Sequence, residues 1–257
     1  MILPKLIVKA TVVRHTNITS QVKQLVLQAP DIAEQTVPGQ FVHIRVADCY
    51  EPLLRRPISI SNVDRDNGTI YLIYRVVGRG TQLLARLKPG DLLNCMGPLG
   101  NGFTLQGKRP LLVGGGMGLA PLVYLAATLC PNPVTVLMGG RTEQEMFWTG
   151  IFKSLCENLH ITTDDGSLGQ RGITLDLLPE LLKSKSFDMI YTCGPSRMMA
   201  GVANYAATYE IPCQVSLEEY MACGVGACLS CTCEAMNGPR KKTCTEGPVF
   251  WSGEVVL

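Results

Sequence analysis

Cys223-Gly-Val-Gly-Ala-Cys228-Leu-Ser-Cys231, with Cys244 thirteen residues further on, is the stretch from which the rest of the chain is best read. Three cysteines spaced C-x4-C-x2-C, followed by a fourth, match the spacing that holds a 2Fe–2S cluster. Such a cluster needs four thiolates fixed around two irons. Gly224 and Gly226 let the loop turn tightly and bring bare backbone N–H groups towards the sulfides. A structural zinc site is the alternative, but it usually draws on two short Cys-x-x-Cys knuckles, and only Cys228 and Cys231 have that spacing. A disulfide framework belongs to small secreted chains. Cys233 would share a face with Cys231 in an extended segment, so the spacing leaves it open as a ligand.

The 257 residues are enough for two medium domains and a small appendage. A hydrophobic fraction of 46% against 17% charged points to extensive internal or subunit burial. The net charge is +2 and the longest basic run is Arg240-Lys241-Lys242, which argues against a nucleic-acid partner. Eleven cysteines, an odd number scattered through apolar segments, fit a reducing cytoplasm. The N-terminal residues 1–9 lack the apolar core and cleavage site of a signal peptide. Residues 111–130 are uncharged, but four glycines and Pro121 near their start would break a lone spanning helix, so no transmembrane segment is expected.

Residues 1–103 read as short strands over 7–13, 22–27, 41–46, 58–61 and 70–77, punctuated by Gly, Pro, Asp and Asn. This spacing predicts a small antiparallel β-barrel. Arg55-Arg56-Pro57-Ile58-Ser59 offers two guanidiniums and a hydroxyl at a strand start, suited to a pyrophosphate. Tyr74-Arg75 leads through Gly78-Arg79-Gly80-Thr81 into a predicted helix over 81–87, whose N-terminus favours phosphate. Each piece alone reads equally as an exposed Arg pair or an ordinary turn. Together they favour a bound dinucleotide.

Over 104–212 the pattern becomes α/β. Strands at 111–113, 134–138 and 187–192 end in Gly114-Gly115-Gly116-Met-Gly118, Gly139-Gly140-Arg141 and Cys193-Gly194-Pro195. Helices follow at 119–129 and about 198–208. Alternation of this kind implies a parallel sheet, with ligands at the carboxyl ends of its strands, where all three glycine-containing ends fall. The loop is not a full G-x-G-x-x-G, because Leu119 stands three after Gly116. No acidic residue ends the second strand, and Arg141 there suits a 2′-phosphate, so these residues leave NAD and NADP both open. Cys193 reads either as a residue near the nicotinamide or as a small core cysteine.

Arg56-Pro-Ile-Ser59, Gly80-Thr81, Gly114-Gly-Gly-Met-Gly-Leu-Ala-Pro121 and Cys193-Gly-Pro195, in this order, resemble the ferredoxin-reductase superfamily. The run from Ser216 to Cys231, with Cys244 and Glu246-Gly-Pro-Val-Phe250, is similar to the electron-transfer subunits of NAD-dependent (type B) dihydroorotate dehydrogenases. The resemblance implies an FAD-binding barrel over 1–103, an NAD-binding α/β domain over 104–212 and a small 2Fe–2S domain over 213–257. By it, Arg56, Pro57, Ile58, Ser59, Ile73, Tyr74, Arg75, Gly80 and Thr81 would hold FAD. Cys223, Cys228, Cys231 and Cys244 would ligate the cluster; Cys233 has no place in the pattern. Gly114, Gly115, Gly116, Gly118, Cys193 and Gly194 are the candidates for NAD.

The same resemblance implies an FMN-containing catalytic partner subunit, in a heterotetramer, and pyrimidine biosynthesis as the setting. Flavin takes a hydride as two electrons and releases them singly, whereas a 2Fe–2S cluster carries one, so the pair couples nicotinamide to a one-electron relay. No acid–base pair is needed, and His15, His43 and His160 are scattered and read as structural or exposed. A ferredoxin:NAD(P)-type or oxygenase reductase keeps the same flavin chemistry with another client. A colourless zinc-stabilised nucleotide-binding protein is the non-redox alternative.

Overall fold

A computed structural model of the chain describes residues 5–47, 50–184 and 186–257; the first four residues of the N-terminal stretch discussed above lie outside them. The chain divides into two compact units. The first comprises 1–102, 218–233 and 241–248; the second comprises 103–217, 234–240 and 249–257. Residues 213–257, read above as one small domain, are thus shared between the two.

In the first unit six strands close a barrel: β1 Leu6–Asn17, β2 Val22–Gln28, β3 Phe41–Arg45, β4 Arg56–Asp64, β5 Thr69–Arg75 and β6 Leu92–Leu99, in the order β1-β2-β5-β4-β3-β6. All of its pairings are antiparallel. Leu25, Leu27, Ile44, Ile60, Ile70 and Leu72 are wholly buried and fill it. Two short helices cover the turns, α1 Pro30–Gln35 and α2 Arg79–Leu84. The barrel matches the expected architecture, with β6 as the strand that joins β1 to β3 and completes closure.

The second unit is a seven-stranded sheet built from β7 Pro110–Gly115, β8 Thr135–Gly140, β9 Asn158–Thr163, β10 Gln170–Arg171, β11 Met189–Cys193 and β12 Cys213–Ser216, with the late strand Val249–Trp251. The order is β10-β9-β8-β7-β11-β12 and then that late strand, parallel throughout except for the last pair. Its helices are α3 Leu119–Leu129, α4 Trp148–Phe152, α5 Thr174–Ser184 and α6 Ser196–Thr208. Every residue of β7 is buried, as a central strand covered on both faces requires. With the largely buried α3 it accounts for the uncharged run 111–130. No helix among the described residues is long and apolar enough to cross a membrane.

Between these elements a small hairpin, β13 Thr232–Cys233 and β14 Lys241–Lys242, carries the chain from the cysteine loop towards Cys244, and the late strand is β15.

Candidate functional site

The cysteine loop sits on the barrel. Cys231 and Cys244 share one buried cluster with Phe41, Met96, Leu99 and Met221, so two of the expected ligands are anchored by side chains of β3 and β6. Thr243 N–H donates to the Cys231 carbonyl at 3.0 Å, which sets Cys244 beside Cys231. The following turn is tied down at Asn101, whose amide and side chain donate to Gly247 O and Glu246 O at 2.6 and 2.8 Å. Gly224 and Gly226 adopt left-handed φ values of 70° and 83°, a conformation that favours glycine. A Cβ on Gly224 would also stand 2.6 Å from His43 Nδ1.

The four thiols differ in electrostatics. Val225 and Cys228 N–H groups both donate to Cys223 Sγ at 3.4 Å. The Ser230 hydroxyl, 3.2 Å from Cys228 Sγ, leads the interactions that hold the Cys228 thiol down at about 6, with its main-chain N–H and Cys223 adding to the effect. Burial, followed by the neighbouring Cys231 thiol, pushes Cys244 up to about 11. In iron-free chain, iodoacetamide should therefore label Cys228 with a rate that climbs as pH rises through about 6, while Cys244 stays slow until near 11. Residue-resolved mass spectrometry reads both; a Cys228 rate that is flat below pH 8 would contradict this electrostatic picture.

The donor set fits a two-iron cluster. Among the described residues no three His, Cys, Asp or Glu side chains are gathered as one metal ion needs. Cys223 Sγ accepts from the Cys228 N–H, Cys231 and Cys244 share a buried cluster, and Cys244 senses both Cys231 and Cys223, so the four thiols lie in one neighbourhood. Four thiolates, two per iron, are what a 2Fe–2S cluster requires. Cys233, on β13, directs its thiol to the Lys241 carbonyl across the hairpin at 3.5 Å.

On the barrel, Arg56, Pro57, Ile58 and Ser59 open β4, Ile73, Tyr74 and Arg75 close the neighbouring β5, and Gly80 and Thr81 lie in α2. The Arg56 guanidinium lies over Gly80, where any Cβ would strike it. The two arginines part company here. Arg55 is spent internally: Nη1 donates to His43 O and Asn94 O, both at 3.2 Å, and Nη2 to Asn94 Oδ1 at 2.6 Å. Arg56 Nη1 donates in turn to the Leu54 and Arg55 carbonyls at 2.6 and 3.2 Å, so of the fork expected from sequence only part of the Arg56 guanidinium is left. Thr81 Oγ1 accepts from Val77 and Gly78 N–H groups at 3.0 and 3.1 Å and caps α2, a short helix ending at Leu84 instead of 87. Tyr74 is also held: its hydroxyl donates to His15 Nε2 at 3.0 Å, while His15 Nδ1–H donates to Leu87 O at 2.8 Å.

In the second unit the glycine loop and the Cys193-Gly194-Pro195 end lie side by side, because β7 and β11 are adjacent and pair Gly114 with Cys193. Cβ atoms at Gly118 and Gly115 would meet the Cys193 carbonyl and Pro195. Gly116, at φ 58°, faces open space, and Gly139 and Gly140 end the adjacent β8. Arg141 is closed on by Glu145, with Nε and Nη2 at 2.9 and 2.6 Å from Oε1.

His43, read from sequence only as structural or exposed, lies against the cysteine loop. It is 0% exposed on β3 and neither ring nitrogen completes a well-formed hydrogen bond. Burial, then the Arg55 charge, lowers its pKa to about 4, so the ring is neutral near pH 7. Its neighbour in space is a loop 180 residues later in the chain, and no local pattern announces that.

The chain matches three family models: the oxidoreductase FAD-binding domain over 9–103, the oxidoreductase NAD-binding domain over 112–204, and the iron–sulfur cluster binding domain of dihydroorotate dehydrogenase B over 218–256. It is 46% identical over 235 residues to the dihydroorotate dehydrogenase B (NAD(+)) electron transfer subunit of Desulforamulus reducens, covering 89% of this chain and 90% of that one. The chain belongs to this family of electron transfer subunits. The subunit of the same name from Geobacillus sp. is 42% identical across 96% of this chain and 97% of its own. The family's cofactors, FAD and a 2Fe–2S cluster with NAD as co-substrate, agree with the three domains, and the chain is an FAD- and NAD-binding oxidoreductase subunit. Among solved structures, an NADH-dependent reduced ferredoxin-NADP oxidoreductase, studied for flavin-based electron bifurcation, superposes with a TM-score of 0.86 at 31% identity, covering 96% of this chain and 89% of that one. A ferredoxin reductase of carbazole 1,9a-dioxygenase, at 24% identity and a TM-score of 0.67 over 82% of this chain and 68% of its own, shares the fold.

Proposed function

We propose that this chain passes electrons from an FMN-containing catalytic subunit that oxidises dihydroorotate to NAD, as one part of a cytoplasmic heterotetramer serving pyrimidine biosynthesis. The observation that carries the reading is that one compact unit holds both the four cysteines and the barrel strands expected to bind flavin. Cys223, Cys228, Cys231 and Cys244 hold the cluster. Arg56 and Ser59, with Pro57, Ile58, Ile73, Tyr74, Arg75, Gly80 and Thr81, hold FAD. Gly114, Gly115, Gly116, Gly118, Cys193 and Gly194 receive NAD.

When bound, flavin can take electrons singly from a one-electron carrier and hand them on in pairs as a hydride to NAD. The chain's own residues bind and orient. Arg56 supplies a charged donor for a pyrophosphate: only its Nη1 is tied to main-chain carbonyls, those of Leu54 and Arg55, whereas both Nη atoms of Arg55 are engaged. Glu145 engages the Arg141 guanidinium, which takes up the cation that the sequence offered to a 2′-phosphate and supports NAD as the co-substrate. Exposed Tyr220, Val225 and Leu229 around the cysteines give a partner an apolar surface next to the cluster.

Arg56→Gln should weaken FAD binding on the order of 10- to 100-fold, the worth of about 1.5–3 kcal/mol for a hydrogen bond to a charged group. Release of flavin fluorescence on dilution measures it; unchanged retention would remove Arg56 from the site. For the whole reading, the chain mixed with the FMN-containing partner should reduce NAD with dihydroorotate, and neither alone should do so. Size determination of the mixture tests the heterotetramer.

A further inference from the structure

We propose that His43 and Arg55 form an electropositive support behind the cysteine loop that raises the reduction potential of the cluster held there; this rests on the ligand set given above. His43 lies at the middle of β3, paired with Pro57 and Met96, and is wholly buried. Neither ring nitrogen completes a well-formed hydrogen bond, although the ring interacts with the Arg55 and Cys223 main chains, an uncommon condition for a buried polar group. A Cβ on Gly224 would come within 2.6 Å of Nδ1, so the ring lies directly against the loop between Cys223 and Val225. Gly224 is the residue that lets the imidazole approach. Arg55 donates to the His43 carbonyl at 3.2 Å and otherwise to the oxygens of Asn94, all of them neutral acceptors, and its charge is felt at the imidazole. Its guanidinium keeps its full positive charge.

Reducing the cluster adds one electron and one negative charge, with no bond made or broken. A ring N–H aimed at the loop and a fixed cation felt at the ring both favour the more negative state, and partly buried they are only weakly screened. These two residues therefore act on the cluster through hydrogen bonding and charge, and neither is a ligand.

The test is an anaerobic redox titration of the full chain followed by EPR for the cluster and absorbance for the flavin. His43→Leu should lower the ratio of reduced to oxidised cluster at a fixed potential about tenfold, a downward shift of about 59 mV for a one-electron couple. Arg55→Gln should shift it in the same direction, His43→Gln less than His43→Leu, and the flavin midpoint of His43→Leu should stay in place. Cluster potentials equal to wild type in His43→Leu and Arg55→Gln would overturn the proposal, as would an equal shift of the flavin. If His43→Leu loads no iron, Arg55→Gln decides alone: a lowered potential supports the proposal and an unchanged one overturns it. Wild-type chain that holds no iron–sulfur cluster would overturn the ligand set itself, and this inference with it.

Discussion

Cys231→Ala should leave the chain with background iron and its flavin intact. Cys231 is 2% exposed and packed among Phe41, Met96, Leu99, Met221 and Cys244, so the barrel side chains absorb the smaller residue while the second iron loses a thiolate. Changes to groups that merely support a metal's ligands already cost about 10–100-fold, so loss of a ligand should cost more than about 100-fold in electron delivery from the partner to NAD. Oxidation of NADH by a two-electron dye uses only the flavin and should persist. Cys233→Ala is the control: its thiol serves the Lys241 carbonyl, and the variant should keep its iron. Iron retained in Cys231→Ala and lost in Cys233→Ala would reassign the fourth ligand.

Gly118→Val should disable the other end of the relay. A Cβ at Gly118 would stand 2.5 Å from the Cys193 carbonyl oxygen and 2.6 Å from the Cys193 carbonyl carbon and Gly194 Cα. These are backbone atoms of a strand end paired with β7, and they cannot give way as a flexible side chain would. Overpacking of this kind costs about 1–3 kcal/mol. The greater effect is on geometry, because both glycine-containing strand ends must separate. NADH oxidation should fall more than about tenfold, as expected when a binding loop is displaced. FAD and iron should remain, since their residues lie in the other unit. Equal loss of flavin and NADH oxidation would show a general folding defect in place of a nucleotide-loop effect.

Much of this architecture is legible in the sequence for identifiable reasons. The barrel strands alternate and are punctuated by Val-Pro-Gly and Lys-Pro-Gly turns, and the parallel strands end in glycines. β6 carries no clear strand signal, because Gly97 and Pro98 lie inside it. α5 is interrupted on paper by Pro179, which its amphipathic pattern overrides. The cysteine spacing announces its chemistry locally. What adjacency cannot tell is which arginine has both Nη atoms engaged. Arg55 and Arg56 are alike until Asn94, 39 residues away, takes the first. The division of the C-terminal segment depends likewise on β15 joining the edge of the sheet beside β12, and the approach of His43 to Gly224 depends on the tertiary fold.

The most direct measurement is the anaerobic visible spectrum of the purified chain, with iron and flavin quantified, before and after NADH. The relay predicts flavin and about two irons per chain, both bleached by NADH. A colourless, iron-free chain that stays so after cluster and flavin reconstitution would contradict it.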